Sequence, residues 1–87
     1  MKVLVEEQVD GLVALLGQTV VLWCANYIYT GLLVGVNDHD VKLENAGIVY
    51  ETGELTAASW KDLQPLPSKY WYVRTAAVES YGAVPRK

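Results

Sequence analysis

From residue 19 to residue 45 the apolar positions come in three runs separated by short polar breaks. The first, residues 19–24, is β-branched and apolar, a composition suited to a strand. Ala25 and Asn26 supply a tight connection, since asparagine tolerates positive φ. The second run, residues 27–36, is apolar on both pleat faces and holds Gly31 and Gly35. Glycine inside a strand marks a bend, a bulge or the close approach of another backbone. Asn37, Asp38 and His39 break the pattern. From Asp40 to Glu44 polar and apolar residues then alternate with period two, as in a half-buried strand. These runs predict a strongly curved antiparallel meander.

On the N-terminal side, Val9, Leu12, Val13 and Leu16 fall at helical spacing and predict a helix over residues 6–16. Acidic residues early in it suit the positive end of the dipole, and Gly17 is placed to end it. Gly11 works against the helix by about 1 kcal/mol relative to alanine. On the C-terminal side, the third strand continues through residues 48–50 after a break at 45–47. Thr52 and Gly53 read as a turn, residues 54–56 as a returning strand, and residues 59–63 as one helical turn. Pro65 and Pro67 speak against regular structure over 64–68. Residues 52–69 therefore read as one long connection, pinned to the rest by Trp60, Leu63 and Leu66. An aromatic strand over 70–73, a tight turn at 74–76 and a last strand over 77–81 complete the domain.

The segment from Gly31 and Leu33 through the polar turn at 37–40 resembles the first signature of the Sm/LSm-like family, which includes the Hfq type. That signature is a Gly-x-Leu strand followed by a turn carrying Asp, His or Tyr, and Asn. Residues 72–81 resemble the second signature, in which an arginine turn joins the last two strands. Residues 12–17 resemble the end of the family's N-terminal helix. The resemblance implies an all-β fold: a strongly bent five-stranded antiparallel sheet forming a small open barrel of the SH3 type, with an N-terminal α-helix. One Sm-like domain then spans residues 1–87, with the helix at 6–16, the first segment at 19–51, the variable loop at 52–69, the second segment at 70–82 and a tail at 83–87.

Composition bounds the function. The chain has 87 residues, 52% hydrophobic and 20% charged, which is one small globular domain. The only cysteine, Cys24, cannot form an internal disulfide, and one Cys with one His makes no zinc constellation. With a single His and no supporting motif, no nucleophilic triad can be argued, so no enzyme and no cofactor are expected. No apolar run reaches membrane-spanning length, and a cytoplasmic, reduced setting is expected. A net charge of −3 argues against a duplex-DNA binder, which depends on cations for phosphate contacts. Three Trp and six Tyr, with no Phe, suit surfaces where an apolar body meets water or a partner.

In the family, single-stranded RNA is held at the pore of a ring by two turns. Carried onto this chain they are Asn37, Asp38, His39 and Asp40, and Arg74 with Thr75. The family's leading Asp corresponds to Asn37, and His39 falls at the base-stacking position. The usual Asn falls on Val41, or on Asp40 if one residue is gapped; ungapped, the spacing is closer to the Hfq type. The glycine after the arginine is Thr75 here. An imidazole can stack on an unpaired base and a guanidinium can stack or meet phosphate. The bland alternatives are an exposed polar turn residue for His39 and a salt bridge to Glu79 or a neighbouring subunit for Arg74. The ring itself would form by strand addition, with Tyr70, Trp71, Tyr72 and Val73 of one subunit meeting Val78, Ser80 and Tyr81 of the next. Five to seven subunits are all compatible with it. Two roles stand side by side: a homo-oligomeric RNA-binding ring, or a ring serving as a protein-interaction scaffold without RNA.

Overall fold

The computed structural model describes residues 11–57 and 59–84. Six strands make a single antiparallel sheet: β1 Thr19–Cys24, β2 Ile28–Val36, β3 Asp40–Glu51, β4 Asp62–Pro65, β5 Tyr70–Arg74 and β6 Val78–Ala83. The order across it is β4-β3-β2-β1-β6, with β5 also on β3. Consecutive short-range pairings follow from the tight connections at 25–27 and 37–39, which leave the chain no choice but to fold back. The first of these is closed by the Cys24 N–H donating to the Tyr27 carbonyl at 3.0 Å. Asn26 does not use positive φ there; Asn45 is the one non-glycine residue that does, among the described residues, with φ 54.

Asn45 sits at the bend of β3. Thr30 pairs with Gly47 and Leu32 with Glu44, so Asn45 and Ala46 together oppose Gly31. That two-against-one count is a β-bulge, and it kinks β3 without ending it. Residues 45–47 therefore bend a continuous strand, where the sequence pattern suggested an interruption. β2 pairs along one side of β3. On the other side β5 takes the first half, residues 40–44, and β4 the second, residues 47–51.

The extra strand corrects the expected count of five. Residues 62–65, assigned to a helical turn and a proline-disrupted stretch, form β4. Proline excludes a residue from the middle of a sheet, yet an edge strand tolerates it at its end. Beyond Pro65 the Leu66 N–H still donates to the Ala46 carbonyl at 2.9 Å, and the Asn45 N–H to the Lys69 carbonyl at 2.8 Å. Residues 62–74 thus track β3 as one interrupted ribbon. The stretch 54–56 is a turn and not a returning strand.

The expected helix over 6–16 is also corrected. Its described part is a short 3-10 turn, Gly11–Leu15, and residues 6–10 lie outside the described residues. With three residues per turn, Leu12 and Leu15 share a face and both join the core, whereas Val13 and Leu16 are exposed. Gly17 closes the turn at φ 87, a conformation that favours glycine, and its N–H donates to the Leu33 carbonyl at 2.8 Å.

Two apolar clusters hold the sheet. Val20, Leu22, Leu33, Val41, Leu43 and Val73 make one cluster, which Leu12 joins. On the other face of β1 and β3, Val21 and Val49 lie under the buried Trp60, with Leu63 alongside. The 52–69 segment thus covers the second face through Trp60 and Leu63, while Leu66 packs on the first cluster. The sheet does not close: among the described residues β5 pairs with β3 alone and β6 with β1 alone, so each keeps one unpaired edge.

Candidate nucleic-acid interface

The turn between β2 and β3 is built by Asn37. Its Oδ1 accepts from the N–H groups of His39 at 2.7 Å and Asp40 at 2.8 Å, and its own N–H donates to the Asp40 carbonyl at 3.0 Å. Such an Asx turn holds the loop without help from distant residues. The turn after β5 then docks on it. The Thr75 N–H donates to the His39 carbonyl at 2.8 Å, and Thr75 Oγ1 donates to the Asn37 carbonyl at 3.2 Å. The register of β3 on β5 sets Asp40 opposite Arg74, with Arg74 Nε 3.9 Å from Asp40 Oδ1. Arg74 pairs with Asp40, therefore, and not with Glu79.

All six residues named from the sequence are brought into this one cluster. Asn37, Asp38, His39 and Arg74 are exposed, and Asp40 and Thr75 partly so. The Arg74 side chain is 76% exposed, so its ion pair contributes little to stability and the guanidinium is available to a ligand. What the cluster can do chemically is present an imidazole, a guanidinium, an amide and two carboxylates on a rigid double turn. Among the described residues no three His, Cys, Asp or Glu side chains come together to hold a metal ion.

The residues named for an oligomer contact divide differently. Val73 is buried and Trp71 partly buried against the core, while Tyr70 and Tyr72 face outward. On β6, Ser80 and Tyr81 are exposed and Val78 packs partly on the core. What β5 and β6 offer in common is an open main-chain edge.

Sequence reasoning missed two features. One is an alignment across β3 and β5, in which Lys42 lies opposite Tyr72 and Glu44 opposite Tyr70. Lys42 Nζ stands 4.3 Å from the centroid of the Tyr70 ring and 5.8 Å from that of Tyr72. The alternation of Tyr70 and Tyr72 was the available signal; the register that places Lys42 between them is not local. The other is a cleft of about 460 Å³ beside Arg74, lined by Cys24, Tyr27, Tyr29, Tyr72 and Glu79. Tyr27 and Tyr29 meet edge to face there at 6.1 Å.

Burial pushes the Cys24 thiol up, and the nearby Glu79 carboxylate adds to the shift; burial likewise raises Tyr29. A raised pKa leaves less thiolate at neutral pH. Alkylation of Cys24 by iodoacetamide should therefore be slower than that of free cysteine at neutral pH, with the rate midpoint displaced to higher pH. Glu79→Gln removes a like charge and moves that midpoint back down. A midpoint at or below that of free cysteine would contradict this.

No helix among the described residues is long and apolar enough to cross a membrane. Comparison with known proteins finds no match to a family model, to a curated protein or to a solved structure.

Proposed function

We propose that this chain assembles into a cyclic homo-oligomer and binds single-stranded RNA where the 37–40 turn meets Arg74 and Thr75. The observation that carries the reading is the knitting of the two turns. Hydrogen bonds from Thr75 to the carbonyls of His39 and Asn37 bring an imidazole and a guanidinium onto one rigid surface. Preorganised groups lose less entropy on binding than mobile ones. Repetition around a ring would multiply a weak single contact into useful avidity. The ring is supported by the two open edges, β5 and β6, because an unprotected edge recruits another strand. A heterologous contact of that kind closes into a ring when its rotation allows.

Fluorescence anisotropy with labelled U-rich and A-rich oligomers tests the RNA role. His39→Ala and Arg74→Ala should each weaken binding by about 5- to 100-fold, the range expected for loss of one stacking contact. Arg74→Ala should also flatten the dependence on salt. No binding at low salt removes the RNA role. Light scattering tests assembly separately, and a monomer at micromolar concentration removes the ring.

A protein-interaction scaffold is the second reading. The Glu79 carboxylate in the cleft beside Cys24 and the net charge of −3 support it, since both oppose a phosphate backbone. Under this reading His39→Ala and Arg74→Ala change nothing in an RNA assay, and Tyr27→Ala weakens partner capture.

A further inference from the structure

Lys42 on β3 and Tyr70 and Tyr72 on β5, with Lys69 just before β5 and beside the Tyr70 ring, form a strip that starts one step from the Asp40–Arg74 pair. Four cations lie among the described residues, Lys42, Lys61, Lys69 and Arg74, and three of them belong to this strip or its near end. The same face carries two carboxylates, Asp40 paired with Arg74 and Glu44 opposite Tyr70, so three cations stand against two anions there, a small positive excess in a chain of net charge −3. The rings between those cations are open to solvent: Tyr72 is 58% and Tyr70 39% exposed. Lys42 Nζ lies 4.3 Å from the Tyr70 centroid and Lys69 Nζ 5.4 Å from the same ring, so both ammonium groups are already drawn to the aromatic surface.

We infer that this strip is a second contact surface for single-stranded RNA, along which the strand continues after leaving the 37–40 and 74–75 turns. Tyr72, the more open ring, stacks a base; Lys42 and Lys69 swing from the Tyr70 ring to phosphates, and the Tyr70 face they vacate takes the next base. The inference rests on the RNA reading above and extends it from a point contact to a path. Residues two apart on a strand lie about 6.6 Å from one another on the same face. Arg74, Tyr72 and Tyr70 therefore form a straight row with one planar group per step. Stacking platforms of this sort accept any base, because every base has a π-face, and cations beside them track the backbone. An acidic peptide would use the lysines but leave two exposed rings idle, which is why RNA is the better occupant.

The strip is compatible with ring assembly through the same strand. Strand addition uses main-chain N–H and C=O groups in the plane of the sheet, whereas Tyr70 and Tyr72 stand roughly perpendicular to it. A neighbour's β6 on the β5 edge would leave their outer faces open.

The test compares a short oligouridine of about 4 nucleotides with a long one of about 16, the span of single-strand site sizes. Anisotropy is measured on the 87-residue chain. The long oligomer should bind more tightly than the short one. Tyr72→Ala and Tyr70→Ala should each weaken the long oligomer by about 5- to 100-fold and leave the short one unchanged. Tyr72→Phe, which keeps the ring, should bind like the wild type. Lys42→Met should lower the salt dependence for the long oligomer only. Both tyrosines are exposed, and unchanged thermal midpoints will show that the variants are folded. If the wild type binds both lengths equally and the tyrosine variants behave as wild type, the strip is overturned while the turn site stands. If neither oligomer binds, the turn site falls and the strip with it. If an acidic peptide competes at the strip and the long oligomer does not bind it, the surface belongs to a protein and the inference is overturned.

Discussion

Truncating Leu43 to alanine should remove about 2–5 kcal/mol of stability, the range for a fully buried leucine whose cavity cannot collapse. Leu43 is fully buried and stands at the crossing point of the sheet, opposite Leu33 on β2 and opposite Trp71 on β5. Its neighbours belong to three strands held in a fixed ladder, so none can move inward without breaking main-chain hydrogen bonds. Small domains have about 5–15 kcal/mol in total, so one such change removes a large part of the margin. At about 4–8 °C per kcal/mol for a domain of this size, the melting midpoint should fall by about 8–40 °C. Thermal circular dichroism at matched protein concentration measures it, because any assembly makes the midpoint concentration-dependent. A fall of only a few degrees would mean that this crossing is not the centre of the core.

Adding a single carbon at Gly31 should be nearly as damaging, for the opposite reason. A Cβ there would lie 3.1 Å from the Ala46 Cα, 3.2 Å from the Ala46 Cβ and 3.2 Å from the Glu44 carbonyl oxygen. Two of these three atoms are main chain and belong to the bulge that bends β3, so they cannot rotate aside. Gly31→Ala should destabilise by about 1–3 kcal/mol through overpacking, and Gly31→Val by more. Gly35 provides the comparison within the same strand. Its Cβ would meet only the Lys42 side chain, at 3.4 Å, and Gly35→Ala should stay within about 0.5 kcal/mol of the wild type. Urea unfolding of the three variants decides it; equal effects at 31 and 35 would show that the tight approach at the bulge carries no energy.

Most strands are legible in the sequence. Val20, Val21 and Leu22 announce β1 by composition, and Val41 and Leu43 announce β3 by alternation, because side-chain period and local preference are written residue by residue. The Asn37 turn was equally legible, since an asparagine side chain closes it over three residues. Gly31 inside an apolar strand signals a bend, a bulge or a close approach, and the contact with Ala46 is the close approach.

Two elements misled. Val9, Leu12, Val13 and Leu16 have α-helical spacing, yet Leu12 and Leu15 are the pair that reaches the core from a 3-10 turn. Spacing over so few residues fits both periods, and packing against β2 and β6 selects one. Pro65 and Pro67 masked β4, because the rule against proline in a sheet depends on whether the strand lies at an edge, which a sequence does not state. The candidate site divides along the same line. Each turn could be named alone, but the contact of Thr75 with His39 and the choice of Asp40 over Glu79 as the partner of Arg74 required the pairing of β3 with β5.

By itself, then, the sequence determined five of the six strands, the position of the tight turns, the close approach at Gly31 and the identity of the exposed turn residues. These depend on the chain within a few residues of itself. Only the tertiary structure decided that a sixth strand rides beside β5 along β3, that the sheet stays open between β5 and β6, and that Lys42 comes to rest between Tyr70 and Tyr72. Each of those follows from a register between distant segments, where the burial of Leu43 and Val73 on one face dictates which side chains meet on the other.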